Sequence, residues 1–201
     1  MERPQLRMFR PTLADLPTLL PPDGYAFRHF RDGDEDAWHR VLCDSFGRDE
    51  DAFQFDTMMR QSPLFLPERI LFATKDDMPV ATASAWRIPD LMPDTGTIHW
   101  VGTHPDHSGH RLGKWVSLAA LHRMRDEGLD RATLLTDDNR MAALHTYLAL
   151  GFEPALVHEN QRERWRKIFS DLDRPELATR YADILDGAVL EPHELIKNAE
   201  L

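Results

Sequence analysis

The stretch HPDHSGHRLG, His104 to Gly113, carries two candidate chemistries. Histidines stand at every third position, His104, His107 and His110, and imidazoles so grouped suggest a metal site. The same stretch places Gly109 and Gly113 just ahead of an apolar helical run, with Arg111 and Lys114 beside them. That second pattern is an anion cradle. The first N–H groups of a helix lack intrahelical partners, the helix dipole favours negative charge there, and glycine lets backbone approach a ligand without a Cβ. The metal reading is the weaker of the two. A spacing of three gathers side chains only on a helix, Pro105 and Gly109 argue for a loop, and no cysteine or nearby glutamate completes a set. No metal is therefore expected, and a metal-dependent hydrolase is the weakest functional class. Neither a Walker Gly-Lys-Ser/Thr nor G-x-G-x-x-G is present, so the cradle is not one of the two common nucleotide loops.

The elements around the loop read as strand, loop, helix, strand, helix, strand. TIHWVGT, Thr97 to Thr103, runs straight into it. LGKWVSLAALHRMRDEG follows, with Leu112, Val116, Ala119, Ala120 and Met124 as a buried helical face and Gly128 at its end. RATLLT, Arg131 to Thr136, has the continuous apolar centre of a buried strand. In DDNRMAALHTYLALGF, Asp138 or Asn139 is expected to cap a helix that turns Met141, Leu144 and Leu148 inward and stops at Gly151. EPALVHE supplies one more strand.

Upstream, GYAFRHF, Gly24 to Phe30, alternates as a strand does. Asp34 is the expected N-cap of a helix with Trp38, Val41, Leu42 and Phe46 on its inner stripe and Gly47 as its stop. A short helix is expected in DAFQFDTMMRQS, where Phe55, Met58 and Met59 form a stripe that suits the core or the wall of an acceptor pocket. RILFAT and VATASAWRI, joined by KDDMP, read as an antiparallel hairpin. Ala81, Ala83 and Ala85 make one face of the second strand small, which suits a close-packed helix or a ligand. Beyond the last strand, Trp165, Ile168, Phe169 and Leu172, then Leu177, Tyr181, Ile184 and Leu185, mark two amphipathic helices.

A hairpin combined with strand–helix–strand crossovers implies an α/β (α+β) fold: a central mixed sheet flanked by helices, with extra C-terminal helices. The expected organisation is a proline-rich arm over residues 1–23, one domain over 24–158, and a C-terminal helical extension over 159–201. The chain has 201 residues, enough for a substantial core, and a formal net charge of −10. Such acidity disfavours nucleic-acid binding, which needs clustered Lys and Arg, and is compatible with a cationic amine substrate. The first residues, MERPQLRMFRP, show no apolar segment of a secretory signal, and no run approaches the ~18 apolar residues of a membrane span. With Cys43 the sole cysteine, no intrachain disulfide forms; a cytoplasmic protein without membrane partners is the expectation. Cys43 itself sits in a helical pattern and reads as a half-buried structural thiol rather than a nucleophile.

The block from Ile98 to Phe152 resembles the GCN5-related N-acetyltransferase superfamily. Its loop is written R/Q-x-x-G-x-G/A beyond a V-x-P strand end. Here Thr103 falls at the valine, Pro105 at the proline, Ser108 at the Arg/Gln, and Arg111 and Gly113 at the two glycines. The superfamily's later A-x-x-x-Y-x-x-x-G-F is matched by Ala143, Tyr147, Gly151 and Phe152. With the upstream elements, the resemblance covers about residues 24–158. Two departures stand out: Ser108 is shorter than the usual residue, and Arg111 replaces a glycine, where its charge could supply the phosphate contact that Ser108 lacks.

The resemblance implies an acetyl-CoA-dependent N-acetyltransferase in which an amine attacks the thioester directly. It implies that backbone groups of Val101, Gly102 and Thr103 pair with the pantetheine arm, and that Ser108, Gly109, His110, Arg111, Leu112, Gly113 and Lys114 hold the pyrophosphate. Asn139 would touch the pantetheine or cap its helix. Tyr147 matches the tyrosine that gives the leaving thiolate its proton. His99 is a candidate base, since strand parity with Val101 and Thr103 would turn it to the cofactor's side; a water chain or the neutral fraction of the amine is the competing route. The acceptor would be a small-molecule or peptide amine, and the protein a monomer or homodimer. A non-catalytic acyl-CoA sensor is the alternative class.

Overall fold

A computed structural model describes residues 3–90 and 92–190. They divide into two compact units, residues 12–132 and residues 3–11 with 133–190. No helix among the described residues is long and apolar enough to cross a membrane.

In the unit of residues 12–132, β2 (Ala26–His29), β3 (Ile70–Lys75), β4 (Met78–Arg87) and β5 (Thr95–Thr103) pair antiparallel in that order. The expected hairpin is β3–β4. Asp76 and Asp77 at its tip both have positive φ, 51° and 64°, the type I′ turn whose twist matches its flanking strands. Helices α1 (Glu35–Phe46) and α2 (Leu112–Asp126) both pack on β4 and β5, and the register shows which face each covers. Arg87 pairs with Gly96, where a Cβ would strike Met124 of α2. The row Ala81, Ala83, Ala85 shares that face and is buried, so its small side chains admit α2. Thr82 pairs with Gly102, where a Cβ would meet Leu42 and Ser45 of α1. Thr82, Ser84 and Trp86 therefore lie under α1.

The core on the α1 side is aromatic: Phe30, Trp38, Phe53, Phe55, Phe72 and Trp86 are buried together with Leu42 and Met59. Phe30 stacks on Phe55 with centroids 4.7 Å apart. Burial of each such side chain stabilises by about 1.5–3 kcal/mol. Of the expected Phe/Met stripe, Phe55 and Met59 enter this core, while Met58 packs at its edge. The expected short helix is a five-residue π-turn, Asp56–Arg60.

Asp34 holds the N-cap position of α1 without capping it through its side chain. Its carboxylate instead accepts two bonds from the Arg28 guanidinium, 2.6 and 2.9 Å, and one from the Arg31 N–H, 2.7 Å. Burial raises the carboxyl's pKa, but these bonds outweigh it and hold it below the ordinary range. A charged, well-aligned guanidinium is the stronger donor, so it displaces the helix N–H groups expected there. At the end of α2, Glu127 receives both Arg69 and Arg123, each at 2.7 Å, which ties the helix to the start of β3.

The second unit contains the strand order β6-β1-β7: β1 (Leu6–Arg10), most of β6 (Arg131–Thr136) and β7 (Glu153–Ala155). The region expected as an extended arm thus supplies a strand, antiparallel to β7 with Met8 opposite Pro154. Leu6 and Met8 are fully buried, and Thr133 Oγ1 donates to the Met8 carbonyl at 2.9 Å. Helix α3 is Met141–Ala149 and α4 is Gln161–Asp171. Trp165, Ile168 and Phe169 of α4 are buried as their spacing predicts. The second amphipathic stripe is realised as two short helices, α5 (Glu176–Arg180) and α6 (Ala182–Asp186), broken at Tyr181. Residues 1–2 of the expected arm and 191–201 of the expected extension lie outside the described residues.

Candidate functional site

β5 carries a bulge. Ser84 pairs with His99 and Thr82 with Gly102, so two steps on β4 face three on β5. The extra residue is Trp100, at φ 49°, a left-handed conformation that costs a non-glycine residue about 1–2 kcal/mol. Its indole is held edge-on by Trp38 and Phe53, centroids 6.1 and 5.5 Å away, and it meets the His99 ring at 4.2 Å. The bulge corrects the parity expected from simple alternation. His99 shares a face with Gly102, beneath α1, and not with Thr103, which lies on the α2 face. Burial pushes His99 down to about 4, so the ring is neutral at pH 7.

Beyond the bulge, the N–H of Thr103 donates to Ser45 Oγ at 3.2 Å, and that of His104 to the Val80 carbonyl at 2.8 Å. Pro105–His107 form one 3-10 turn. Ser108 closes it, with its N–H and its hydroxyl both donating to the Pro105 carbonyl. Ser108 is therefore a turn-closing residue, and its N–H is already engaged. The next five N–H groups, of Gly109, His110, Arg111, Leu112 and Gly113, make no hydrogen bond among the described residues. Two of these positions are left-handed, Gly109 at φ 84° and Arg111 at φ 56°. Arg111 thus takes the conformation that a glycine would supply at low cost, which explains why the motif places glycine there. The run ends at the start of α2, with Arg111 exposed and Lys114 half-buried beside it. Five donors, two cations and a helix N-terminus are the groups that an anion such as a pyrophosphate would call for.

The three histidines of the loop go elsewhere. His104 Nε2 sits 3.1 Å from Asp44, and His107 Nδ1 shares a 3.1 Å hydrogen bond with the Tyr25 hydroxyl. His110 packs obliquely on the Tyr25 ring at 5.2 Å. Among the described residues no three His, Cys, Asp or Glu side chains are grouped to hold a metal ion.

In the other unit, Tyr147 lies on α3, 4% exposed, and its phenol makes no hydrogen bond among the described residues. Burial pushes its pKa up to about 12, only partly opposed by Arg140, so it carries its proton at any physiological pH. The helix ends in a Schellman motif: Phe152 N–H donates to the Tyr147 carbonyl and Gly151 N–H to Leu148. Gly151 is at φ 81°, and a Cβ there would collide with the Arg10 guanidinium. The A-x-x-x-Y-x-x-x-G-F spacing thus encodes a helix stop that also seats the tyrosine.

Neither Asp138 nor Asn139 caps α3 by a side chain; Arg140 occupies the N-cap position. Asp138 is drawn away by Arg164, at 2.5 Å, and Arg3, at 2.6 Å, which hold its carboxyl well below the usual range. Asn139 is exposed and lines a cavity of about 470 Å³ with Arg3, Asp137, Asp138 and Arg164. Cys43 is buried, its thiol pushed up chiefly by burial and bonded to the Asp49 carbonyl, as a structural cysteine would be.

Sequence reasoning missed Ser45, Tyr25 and the Trp100 bulge. Ser45 and Tyr25 lie far along the chain from the loop and carry no local signal. The one clue to the bulge was a glycine following Trp100 and Val101 in an otherwise bulky strand.

Comparison with known proteins gives a consistent picture. The acetyltransferase (GNAT) family profile matches residues 35–152, more than half of the chain. A mycothiol acetyltransferase of Kytococcus sedentarius is 31% identical over 164 residues, 77% of this chain and 55% of its own. That of Cellulomonas flavigena is 35% identical over 152 residues, 69% of this chain and 43% of its own. The chain spans about half the length of the curated relatives it matches. A GCN5-related N-acetyltransferase of Sphaerobacter thermophilus shares the fold, with a TM-score of 0.60 at 21% identity over 76% of this chain and 49% of that one. The α/β fold expected from the sequence, a mixed sheet flanked by helices, is the one observed.

Proposed function

The chain belongs to the acetyltransferase (GNAT) family, and on that premise we propose that it moves an acetyl group from acetyl-CoA to an amine. The observation that carries this reading is the run of five unengaged N–H groups from Gly109 to Gly113 at the start of α2, flanked by Arg111 and Lys114. Its donors fit a diphosphate, and no group among the described residues competes for them. When bound, acetyl-CoA supplies the activated acetyl thioester. The backbone from Gly109 to Gly113 holds and orients the phosphates, Arg111 and Lys114 neutralise their charge, and Val101 and Gly102 offer extended backbone to the pantetheine arm. Asn139, exposed ahead of α3, offers that arm an amide. Tyr147, kept protonated by burial, would be the group to supply the proton that a leaving thiolate needs. His99, neutral at pH 7, is free to accept the proton that the amine loses.

The acceptor is an amine, and the relatives named mycothiol acetyltransferase make their acceptor the first to try. Calorimetric titration with acetyl-CoA tests the binding half: saturable binding is expected, and no heat at millimolar ligand removes the reading. Transfer across an amine panel that includes that acceptor tests the enzymatic half.

A further inference from the structure

Tyr25, just ahead of β2, is the meeting point of three groups that carry or can take a positive charge. Its hydroxyl shares a 3.1 Å hydrogen bond with His107 Nδ1. Its ring meets that of His110 at 5.2 Å, tilted by 50°, and the Lys75 ammonium at the end of β3 stands 5.8 Å from the ring centroid. His104 is next in line, its ring 6.0 Å from that of His107 and its Nε2 3.1 Å from Asp44 of α1. Both rings on Tyr25 belong to the anion loop. His110 contributes one of the five unengaged backbone N–H groups, and His107 ends the 3-10 turn ahead of them. A chain of formal net charge −10 thus sets Lys75 beside two titratable rings on the loop that already carries Arg111 and Lys114.

With nothing on the loop, these charges oppose one another. Burial, and then the charges of His104, Lys75 and His110, push His107 below its ordinary value, while Asp106 pulls the other way. The Asp106 carboxylate is largely exposed, where solvent and salt weaken its hold, and Asp44 is engaged by His104. A phosphate seated on the loop N–H groups would reverse the balance, because it brings negative charge next to the rings. The surroundings suit a charged form. A phenol can donate or accept, so the bond from Tyr25 to His107 survives protonation of the ring, and the face of Tyr25 favours a cation over it.

We propose that His107 and His110, gathered on Tyr25 beside Lys75, form a proton-accepting wall of the loop's anion site, so that a phosphate ester binds together with a proton. This rests on the acetyl-CoA reading of the loop. One proton leaves solvent and forms an N–H bond on an imidazole, and no other bond is made or broken. The linkage is reciprocal: a ligand that raises the rings' affinity for a proton is itself held more tightly once the rings are protonated. Near pH 8 the rings are neutral and add nothing. As the pH falls towards 6 they take up charge, and affinity for the phosphate ester climbs.

Dephospho-CoA is the probe. Its pyrophosphate keeps the same charge across this range and it carries no acetyl group, so a pH dependence belongs to the protein. In calorimetric titrations of the full chain, affinity is expected to rise roughly 3- to 10-fold between about pH 8 and about pH 6. Titrations at neutral pH in two buffers of different ionisation enthalpy should show net proton uptake on binding. In the double variant His107→Gln, His110→Gln, uptake and pH dependence should both largely vanish. In the wild type, nuclear magnetic resonance of the ring nitrogens should show the His107 midpoint rising by about half a pH unit on saturation. An affinity equal at the two pH values, or a His107 midpoint that the ligand leaves in place, overturns the proposal while the CoA-binding reading stands. Undiminished uptake in the double variant also overturns it, since the proton then goes elsewhere. No binding of dephospho-CoA at either pH at millimolar ligand removes both. Protein that binds it with proton uptake but acetylates no amine loses the acetyl-transfer reading alone.

Discussion

Phe152 donates its backbone N–H to the carbonyl of Tyr147 at 3.0 Å, and the two rings meet edge-on with centroids 6.0 Å apart. The residue that terminates α3 therefore also holds the ring whose phenol is proposed to act. Backbone and ring contacts both survive removal of the hydroxyl.

Tyr147→Phe is accordingly expected to fold as the wild type does and to bind acetyl-CoA with nearly unchanged affinity. Its kcat should fall on the order of 100-fold, the usual contribution of a positioned acid. Steady-state kinetics beside calorimetry separates the two; unchanged turnover takes Tyr147 out of the mechanism.

Gly151→Ala meets two obstacles, a φ of 81° and the Arg10 guanidinium. The backbone term alone costs about 1–2 kcal/mol, and displacing Arg10 from the Leu150 carbonyl adds to it. A lowered denaturation midpoint is expected. A midpoint equal to the wild type would show that this helix stop can shift without cost.

Arg111 combines a left-handed backbone with a charge at the loop, and two variants separate these. Arg111→Ala keeps the strained φ and loses only the charge, so acetyl-CoA binding should weaken several-fold and become less sensitive to salt. Arg111→Gly loses the same charge but relaxes the backbone. Its affinity should match that of the alanine variant, with loop strain of about 1 kcal/mol removed. Equal affinity of all three proteins would show that Arg111 does not reach the ligand.

Acid should destabilise the protein in two windows. The value of His99 is depressed from 6.5 to about 4 on folding, so the unfolded chain takes up its proton first. Stability from this group is intact above about 6.5, declines as the pH falls towards 4, and changes no further below that. The loss is on the order of 3 kcal/mol. Asp138, held low by Arg164 and Arg3, contributes stability that is present above its ordinary 3.8 and lost only as the pH falls through its lower folded value. Denaturant melts across this range should show the first loss vanish in His99→Gln while the second remains. A His99→Gln protein with an unchanged pH profile would contradict the buried, neutral ring.

Much of the fold was legible along the chain because its signals are local. The hairpin tip KDDMP, the buried stripe of α2 and the Gly151 stop each depend on residues within a few positions of one another. Asp34 takes the N-cap position of α1 as expected, but its side chain and that of Asp138, offered with Asn139 as the cap of α3, make no cap bond, because Arg28, Arg164 and Arg3 compete for those carboxylates.

By itself the sequence determined the class of fold, the glycine-bearing loop ahead of α2 and the tyrosine's place four residues before Gly151, since backbone conformation and helical spacing are set by neighbouring residues. Tertiary structure alone decided where His99 points. One extra residue in β5, Trp100, is accommodated only because Trp38 and Phe53 receive its indole, and that insertion moves His99 from the face of Thr103 to the face of Gly102. A period of two along a strand holds only while the pairing stays in register, and register belongs to the sheet rather than to the strand.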